Sequence, residues 1–213
     1  MSEELSLRDA IYSTRAMRYL KPDPIPEDVL RQILDAAVRG PSGGNRQPWG
    51  WVVVRDPEAK RQIAEWYREG WDRSYGRNRE QQLADAKVAG NVPGYLSSEH
   101  LAQHLEEAPV FVFPVLRGVA GRSDPRTGSS IYGAVQNLML AARSFGIGST
   151  LTTMYGAREK ELKELLGIPD DAMTMCLIPL GYPSRGEFST PQRRPVDRVV
   201  HWERWGNRPS WQS

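Results

Sequence analysis

The hydrophobic residues of the chain recur at helical spacing in several segments, and some of these carry start or stop signals. Ser6 and Asp9 resemble a capping box, and Gly40-Pro41 stops the segment that carries Leu30. The predicted helices run from Ser6 to about Thr14, through Leu30 to Ala37, from Asp56-Pro57 past Tyr67, from about Ser98 to Glu107, through Ile131 to Phe145, and from Arg158 to Leu166.

Three other runs are short and dense in branched and aromatic residues, which is typical of buried strands. They are residues 51–55, 110–116 and 173–180. Pro114 lacks a backbone N–H and therefore predicts a bulge or an edge position for the second run. The chain of 213 residues has no linker-like break, so we expect one domain over residues 1–213.

Two segments do not follow these patterns. Residues 70–98 are polar with scattered aromatic residues, which predicts an irregular or partly helical insertion that forms either a lid over a site or a solvated face. Residues 187–213 are rich in arginine and proline, and their tryptophans favour a tail that wraps on another surface over a loose tail.

Composition narrows the classes of function. The 28 basic and 26 acidic side chains are nearly balanced, so there is no electrostatic footprint for nucleic acid or an anionic membrane. No apolar run approaches membrane-spanning length, and the acidic start of the sequence differs from a secretory signal. We therefore expect a soluble, cytoplasmic protein without nucleic-acid or membrane partners.

Cysteine and histidine offer little disulfide or metal chemistry. Cys176 is the only cysteine and lies in an apolar run, so we expect a buried structural thiol. His100 and His104 are four residues apart and could share a helix face, but the residues around them lack the third ligand of a catalytic zinc helix. We predict no metal site.

The segment 41–49 combines several features of a ligand-binding loop. Gly43 and Gly44 let the backbone approach a flat ligand, and Trp49 offers an aromatic wall. Its hydrogen-bonding side chains are Ser42, Asn45 and Gln47. The same composition is also typical of an ordinary surface turn.

Arg15 and Arg18 form a second candidate site. Because they are three residues apart, they would project from nearly one face of a helix and could grip a phosphate through charge-assisted hydrogen bonds. From these residues alone, a pair of solvated surface arginines is the simpler interpretation.

Together, residues 14–18 (Thr-Arg-Ala-Met-Arg) and the loop 41–49 resemble the nitroreductase family of FMN-dependent oxidoreductases. That family opens with Arg-Arg-Ser-x-Arg and continues with Pro-Ser-x-x-Asn-x-Gln-Pro-Trp before the first strand. Here Thr14 and Ala16 replace the first arginine and the serine, which removes one cation and one hydroxyl from the expected cofactor cradle.

Later segments extend the resemblance in the family's order. Residues 146–154 resemble its Gly-Leu-Gly loop, which passes the flavin near N5, although a helix stop followed by a strand explains them equally well. Residues 191–195 resemble its Lys-x-Arg-x-Pro segment, and with Pro191 in place of the lysine either Arg194 compensates or a contact is missing. Residues 197–205 are similar to the tail of actinobacterial-type members, which wraps on the partner subunit.

The resemblance implies a fold, a cofactor and an assembly. The fold is an α/β (α+β) three-layer sandwich whose largely antiparallel mixed sheet is flanked by helices, and the assembly is a homodimer with FMN at the subunit interface. Arg15 and Arg193 would bind the FMN phosphate or ribityl chain, and Arg18 would lie near the flavin pyrimidine edge, where a cation stabilises the reduced ring. The implied cofactor-binding residues are Arg15, Ala16, Arg18, Pro41, Ser42, Asn45, Gln47, Leu151, Thr152, Thr153, Arg193 and Arg194.

The implied activity is the reduction of nitroaromatic or quinone-type acceptors by a ping-pong route. NADH or NADPH supplies the hydride, and the flavin carries the chemistry without a catalytic side chain. Two alternatives remain open. One is a reductive dehalogenase or flavin-consuming relative whose chemistry depends on lid residues, and the other is a protein that binds flavin or another ligand without turnover.

Overall fold

The computed structural model describes residues 5–119, 121, 124–208 and 210–211. Within that part of the chain there are seven α helices and five strands. The helices are α1 (Leu7–Ser13), α2 (Glu27–Ala37), α3 (Pro57–Ser74), α4 (Arg79–Val88), α5 (Val92–His104), α6 (Tyr132–Ser144) and α7 (Glu159–Leu166). The strands are β1 (Trp49–Val54), β2 (Val110–Arg117), β3 (Gly148–Ser149), β4 (Ala172–Thr174) and β5 (Ile178–Gly181).

The five strands form one sheet with the order β1-β2-β5-β3, and β4 also pairs with β2. Every pairing among these named strands is antiparallel. β2 is central, since Val112 lies opposite Val53 on one side and opposite Ile178 on the other.

The alternation of side chains along β2 divides the core into two hydrophobic clusters. Phe111 and Phe113 face a cluster that includes residues of α3, α5 and α7. Val110 and Val112 face a second cluster with residues of α2 and α6. Because successive strand residues point to opposite faces, a single strand anchors both layers. The structure thus confirms the predicted sandwich of a sheet between helices.

Helix boundaries follow local capping chemistry in three places. The Ser6 hydroxyl accepts a hydrogen bond from the Asp9 N–H at 3.1 Å, and the Asp56 carboxylate accepts one from the Ala59 N–H at 2.8 Å. α7 ends where Gly167 adopts a φ of 64°, a left-handed conformation that favours glycine. The predicted N-cap at Ser6 and the helix start at Asp56-Pro57 are confirmed. In place of the second bond of a capping box, the Asp9 carboxylate accepts from the Ser6 hydroxyl at 2.6 Å.

Pro114 was predicted to mark either a bulge or an edge position. The edge position is wrong, because β2 lies inside the sheet. The Pro114 carbonyl accepts from the Met175 N–H at 2.8 Å, in the gap between the residues of β2 that pair with β5 and those that pair with β4. The N–H and C=O of a strand residue point to the same side, so the missing N–H of Pro114 also faces this gap. The sheet therefore loses no ladder bond to the proline.

Other element boundaries also differ from prediction. The run 173–180 is not one strand, since β4 and β5 are separated by residues 175–177. The helix expected from about Ser98 begins at Val92. Residues 70–98 are mostly helical, because they comprise the end of α3, all of α4 and the first half of α5.

Cys176 is fully buried, as predicted, and burial raises the pKa of its thiol to about 12. The His100 ring stacks between two others. Its centroid lies 4.2 Å from that of Tyr19 and 4.4 Å from that of His104. Among the described residues, no group of three or more metal-ligating side chains is close enough to hold an ion. The described helices include none long and apolar enough to cross a bilayer.

Candidate functional site

The structure has a cleft of about 1380 Å³. Its walls come from the segment after α1, from α3, from α4 and α5, and from two stretches of the second half of the chain. Residues on these walls include Arg15, Ala16, Arg18, Tyr67, Trp71, Tyr95, Ser97, Leu151, Thr152, Thr153, Arg185 and Arg193. Elements far apart in sequence therefore converge on one concave surface, which is the usual form of a small-molecule site.

The close approach of α3 to the stretch 150–154 shapes the floor of the cleft. A Cβ on Gly70 would lie 1.8 Å from the Met154 carbonyl oxygen, so only glycine permits this contact. One turn earlier on α3, the Tyr67 hydroxyl lies 2.9 Å from the Thr152 hydroxyl. Burial raises the pKa of Tyr67 and keeps it neutral.

Aromatic rings cover the part of the cleft floor that faces α4 and α5. Trp71 is buried, and its ring centroid lies 5.0 Å from that of Tyr75 and 5.7 Å from that of Tyr95. The Tyr95 hydroxyl is buried without a hydrogen-bond partner among the described residues. This wall suits a planar ligand with a polar group that the Tyr95 hydroxyl can reach.

Arg15 and Arg18 both line the cleft, but not for the predicted reason. α1 ends at Ser13, and residues 14–19 are not helical. The segment is held against the sheet by a hydrogen bond from the Met17 N–H to the Ser149 carbonyl at 2.9 Å. Arg15 is exposed at the mouth, whereas Arg18 lies deeper and donates to the Ser97 hydroxyl at 3.2 Å. Burial lowers the pKa of Arg18, which its proximity to Tyr67 partly offsets.

A smaller cleft of about 800 Å³ adjoins the first. The residues that line both clefts are Arg15, Ala16, Arg18, Thr150, Leu151, Pro191 and Arg193. Residues of α1 and α6 complete its lining. Thr14 borders this cleft, but its hydroxyl donates to the Ala10 carbonyl at 2.6 Å. Thr14 therefore does not replace the charge of the family's arginine, and its hydroxyl proton is already engaged.

The stretch 151–153 lines the larger cleft, but its backbone is only partly available. The Thr152 N–H donates to the Leu177 carbonyl at 3.0 Å, and the Leu177 N–H donates to the Thr152 carbonyl at 2.8 Å. Its N–H is therefore already occupied. Within the described part of the chain, the N–H groups of Leu151 and Thr153 have no acceptor.

The loop 41–49 does not join these residues in the same chain. Its members Pro41, Ser42, Asn45 and Gln47 line neither cleft. The loop instead lies near the start of α6, where the Gly43 N–H donates to the Ser130 hydroxyl at 3.2 Å. Asn45 and Gln47 have positive φ values of 52° and 48°, which is strained for residues other than glycine.

Arg193 and Arg194 have different surroundings. Arg193 lines both clefts, while Arg194 is exposed and lines neither. Arg194 was predicted as a possible substitute for the missing lysine at Pro191, but it does not reach the cleft in this structure. Arg185 does reach it.

Several residues of the site were not predicted. From the sequence, Trp71 is only one of the scattered aromatic residues, and Tyr95 is a possible polar group of the lid in the dehalogenase alternative. Ser97 and Arg185 have no predicted role. Their positions depend on contacts with α3 and with the segment after α1, which have no local sequence signal. For Trp71, a spacing of four residues from Tyr67 on a predicted helix was the available clue.

Residues 11–182 match the model of the nitroreductase family. The chain therefore belongs to this family, and the resemblance inferred from its motifs is confirmed. The match ends before residues 191–205, so the actinobacterial-type tail stays a prediction.

The chain is similar in sequence to two kinds of known protein. An NADH dehydrogenase of Thermus thermophilus is 29% identical over 215 residues, covering 93% of this chain and 96% of that protein. Iodotyrosine deiodinase 1 of Rattus norvegicus is 29% identical over 194 residues, covering 87% of this chain and 65% of that protein.

A solved structure supports the fold. The FMN and NADPH-dependent nitroreductase NfnB of Sphigopyxis sp. strain HMH has a TM-score of 0.71 to this chain at 20% identity, with 94% of this chain and 100% of that chain covered. At this low identity, the likeness shows the fold alone.

Proposed function

We propose that the protein is an FMN-dependent oxidoreductase that takes hydride from NADH or NADPH and reduces nitroaromatic or quinone-type acceptors by a ping-pong route. The observation that carries this proposal is the set of guanidinium groups in the cleft. Arg15, Arg18 and Arg193 line it, and none has an ion-pair partner among the described residues. Cations left unpaired beside an aromatic wall suit a planar ligand that carries negative charge.

The residues present fit FMN in charge and in size. Arg15 and Arg193 are exposed where the two clefts meet and suit a phosphate. Arg18 lies deeper, beside the aromatic floor, and suits the ring. The volume of about 1380 Å³ exceeds that of a typical site for one small ligand, so it leaves room for a second planar molecule.

When bound, FMN would supply hydride transfer at its N5 atom. The protein's own residues would position the ring and favour its reduced form. Arg18 would stabilise negative charge at the pyrimidine edge, because a half-buried cation acts strongly where water is partly excluded. Since the Thr152 N–H is occupied, the free N–H groups of Leu151 and Thr153 are the donors left for the ring.

The proposal includes a homodimer in which the loop 41–49 of one copy completes the cleft of the other. The loop is exposed, its backbone is strained, and it lies away from the arginines of its own chain. Strained backbone that persists on a surface is a reason to expect function there. The proposal also keeps the single domain, the lid over residues 70–98, the wrapping tail 187–213 and the cytoplasmic location expected from the sequence.

Exposed apolar side chains on α1 support an assembly. Leu7 is 72% exposed, and Ile11 and Tyr12 are 50% and 55% exposed. Ile11 and Tyr12 also border the smaller cleft. A light-scattering mass equal to one chain would contradict the dimer.

The visible absorption spectrum tests the redox proposal. The protein is mixed with FMN, desalted, and measured before and after anaerobic addition of NADH or NADPH. Retained flavin bands that bleach support the oxidoreductase. Bands that persist with both nicotinamides favour a protein that binds flavin without turnover, and the absence of retained flavin contradicts the cofactor assignment.

A pair of variants links the spectrum to the site. Arg15→Gln should lower the affinity for FMN, whereas Arg31→Gln, on the exposed face of α2, should not. Equal FMN affinities for the two variants would separate flavin binding from this cleft.

Reductive dehalogenation is a second candidate, favoured by the similarity to iodotyrosine deiodinase 1. The lid of this chain adds polar groups to the cleft, among them Gln82, Asp85 and Asn91. Turnover of 3-iodotyrosine with the reduced protein, at a rate above that for a nitroaromatic, would select this reaction over the first.

A further inference from the structure

Arg185 follows β5 and lines the larger cleft, and it lies outside the motifs that carry the family resemblance. Its guanidinium carbon lies 5.3 Å from the centroid of the Tyr19 ring. Tyr19 stacks in turn on His100, at 4.2 Å. A cation over an aromatic face is attracted to it, so this stack holds Arg185 at the rim of the cleft.

The backbone after Arg185 lies against Arg15. Gly186 has a φ of 80°, and a Cβ at this position would be 3.2 Å from the Nη2 atom of Arg15. The turn that carries Arg185 therefore comes close to the guanidinium of Arg15. Two segments far apart in sequence, each carrying an arginine that lines the cleft, therefore meet here.

No acidic side chain balances this charge. Arg185, like Arg15, Arg18 and Arg193, has no ion-pair partner in the described part of the chain. Asp85 is the one acidic residue among the described residues that line the cleft, and it stands on the lid. Like charges repel one another, so a cleft with this excess of cations is suited to bind more than one anionic group.

His100, which stacks on Tyr19 near Arg185, contributes little to the positive charge of the cleft. Burial lowers the pKa of His100, and the charges of His104 and Arg185 lower it further against the opposing effect of Glu107. His100 therefore adds little positive charge at neutral pH. The anion-binding capacity of this rim depends on the arginines.

We infer that Arg185 is a phosphate-binding residue of the cleft that supplies the positive charge missing at Pro191. This inference rests on the proposed function, because it assumes that the cleft takes phosphorylated ligands. The shared chemistry is a phosphate monoester, whose oxygens match the fork of a guanidinium. It is either the 5′-phosphate of FMN or the 2′-phosphate of NADPH.

The test compares Arg185→Gln with wild type for ligands that differ only in a phosphate. Fluorescence titrations give the affinities for FMN and riboflavin, and stopped-flow reduction gives the half-saturating concentrations of NADPH and NADH. A tenfold or greater loss for FMN without a loss for riboflavin assigns the residue to the flavin phosphate. A similar loss for NADPH without a loss for NADH assigns it to the 2′-phosphate.

Two further variants control the comparison. Arg185→Lys should recover part of the affinity, because it keeps the charge but not the two-pronged geometry. Tyr19→Leu should weaken the same phosphate ligand more than Tyr19→Phe does, since only the leucine removes the ring beneath the guanidinium. Arg185 is exposed, so Arg185→Gln and Arg185→Lys should unfold at the wild-type temperature.

The outcomes separate this inference from the proposed function. If wild type binds and reduces flavin but Arg185→Gln matches it for all four ligands, only the inference about Arg185 is overturned. If wild type binds neither flavin, the proposed function and the inference are both overturned.

Discussion

Replacing Gly70 by alanine tests how the floor of the cleft is built. The added Cβ would lie 1.8 Å from the Met154 carbonyl oxygen, and real Cβ atoms essentially never come closer than 3.0 Å to another heavy atom. Either α3 or the Met154 segment must therefore move by about 1.2 Å. The obstacle is backbone, which cannot rotate away as a side chain can.

Two opposing terms set the size of the effect. Alanine favours a helix over glycine by about 1 kcal/mol, whereas overpacking a rigid contact costs up to about 3 kcal/mol. The net loss in the free energy of unfolding is then about 2 kcal/mol, or roughly 4–8 °C in the unfolding temperature of a chain of this size. The displacement should also weaken the hydrogen bond between Tyr67 and Thr152 and lower the affinity for flavin.

Thermal and urea unfolding, followed by circular dichroism, measure this loss. Gly156→Ala is the matched control, because a Cβ there meets nothing within 4 Å. It should stay within about 0.5 kcal/mol of wild type. If Gly70→Ala were as stable as wild type, the close contact between α3 and Met154 would not exist in solution.

Three other predictions concern buried groups. Tyr67→Phe removes a part-buried hydrogen bond to Thr152 and should lower the free energy of unfolding by about 1 kcal/mol, measured by urea titration. Cys176, whose pKa burial raises to about 12, should react with a thiol reagent at pH near 8 on the order of a thousandfold more slowly in the native state than in urea. His100 has a lowered pKa, so its contribution to stability is present above its unfolded value of about 6.5 and is lost as the pH falls toward the folded value. His100→Gln should therefore lose less stability than wild type between about pH 7 and pH 5, in unfolding curves taken across that range.

A control variant tests the role of the Tyr67 hydroxyl, and specific results would contradict the predictions for Cys176 and His100. Tyr12→Phe alters an exposed tyrosine on α1 whose hydroxyl has no hydrogen-bond partner in the described part of the chain, and it should leave stability unchanged. Equal losses at Tyr12 and Tyr67 would contradict the role of the Tyr67 hydroxyl. Fast native labelling of Cys176 would show that its cluster opens readily. For His100, a pH dependence identical to wild type after substitution would show that another group titrates.

Local chemistry made part of the fold predictable from the sequence. The caps at Ser6 and Asp56 involve residues three positions apart, so their signals lie within one turn of chain. β2 was found by its density of branched and aromatic residues. By contrast, the division of residues 173–180 into β4 and β5 depends on how Met175 meets Pro114 across the sheet, and that contact has no local signature.

The position of α4 could not be predicted from the sequence for a similar reason. α4 has no buried residue in this chain, so it carries no strong apolar stripe to read. It is held in part by Arg79, which makes two hydrogen bonds to Glu99 of α5 at 2.6 and 3.0 Å. Pairing between two helices cannot be inferred from either helix alone.

The site was predictable where motifs are contiguous. Arg15, Arg18 and Thr152 belong to short segments, and all three line the cleft. Their binding to FMN stays a prediction. Arg185 could not be found in this way, because its role depends on a stack of rings and on a glycine turn against Arg15.

The position of β1 in the sheet has a consequence for how the protein is handled. β1 (Trp-Gly-Trp-Val-Val-Val) pairs only with β2 among the described strands. The backbone groups of its alternate, outward-facing residues are therefore open to further pairing. An open apolar edge of this kind is a template on which a second chain can add a strand, and proteins generally protect such edges to avoid aggregation. What covers β1 therefore governs solubility as well as assembly, and a truncation that removed the covering segment should convert a clear preparation into a turbid one.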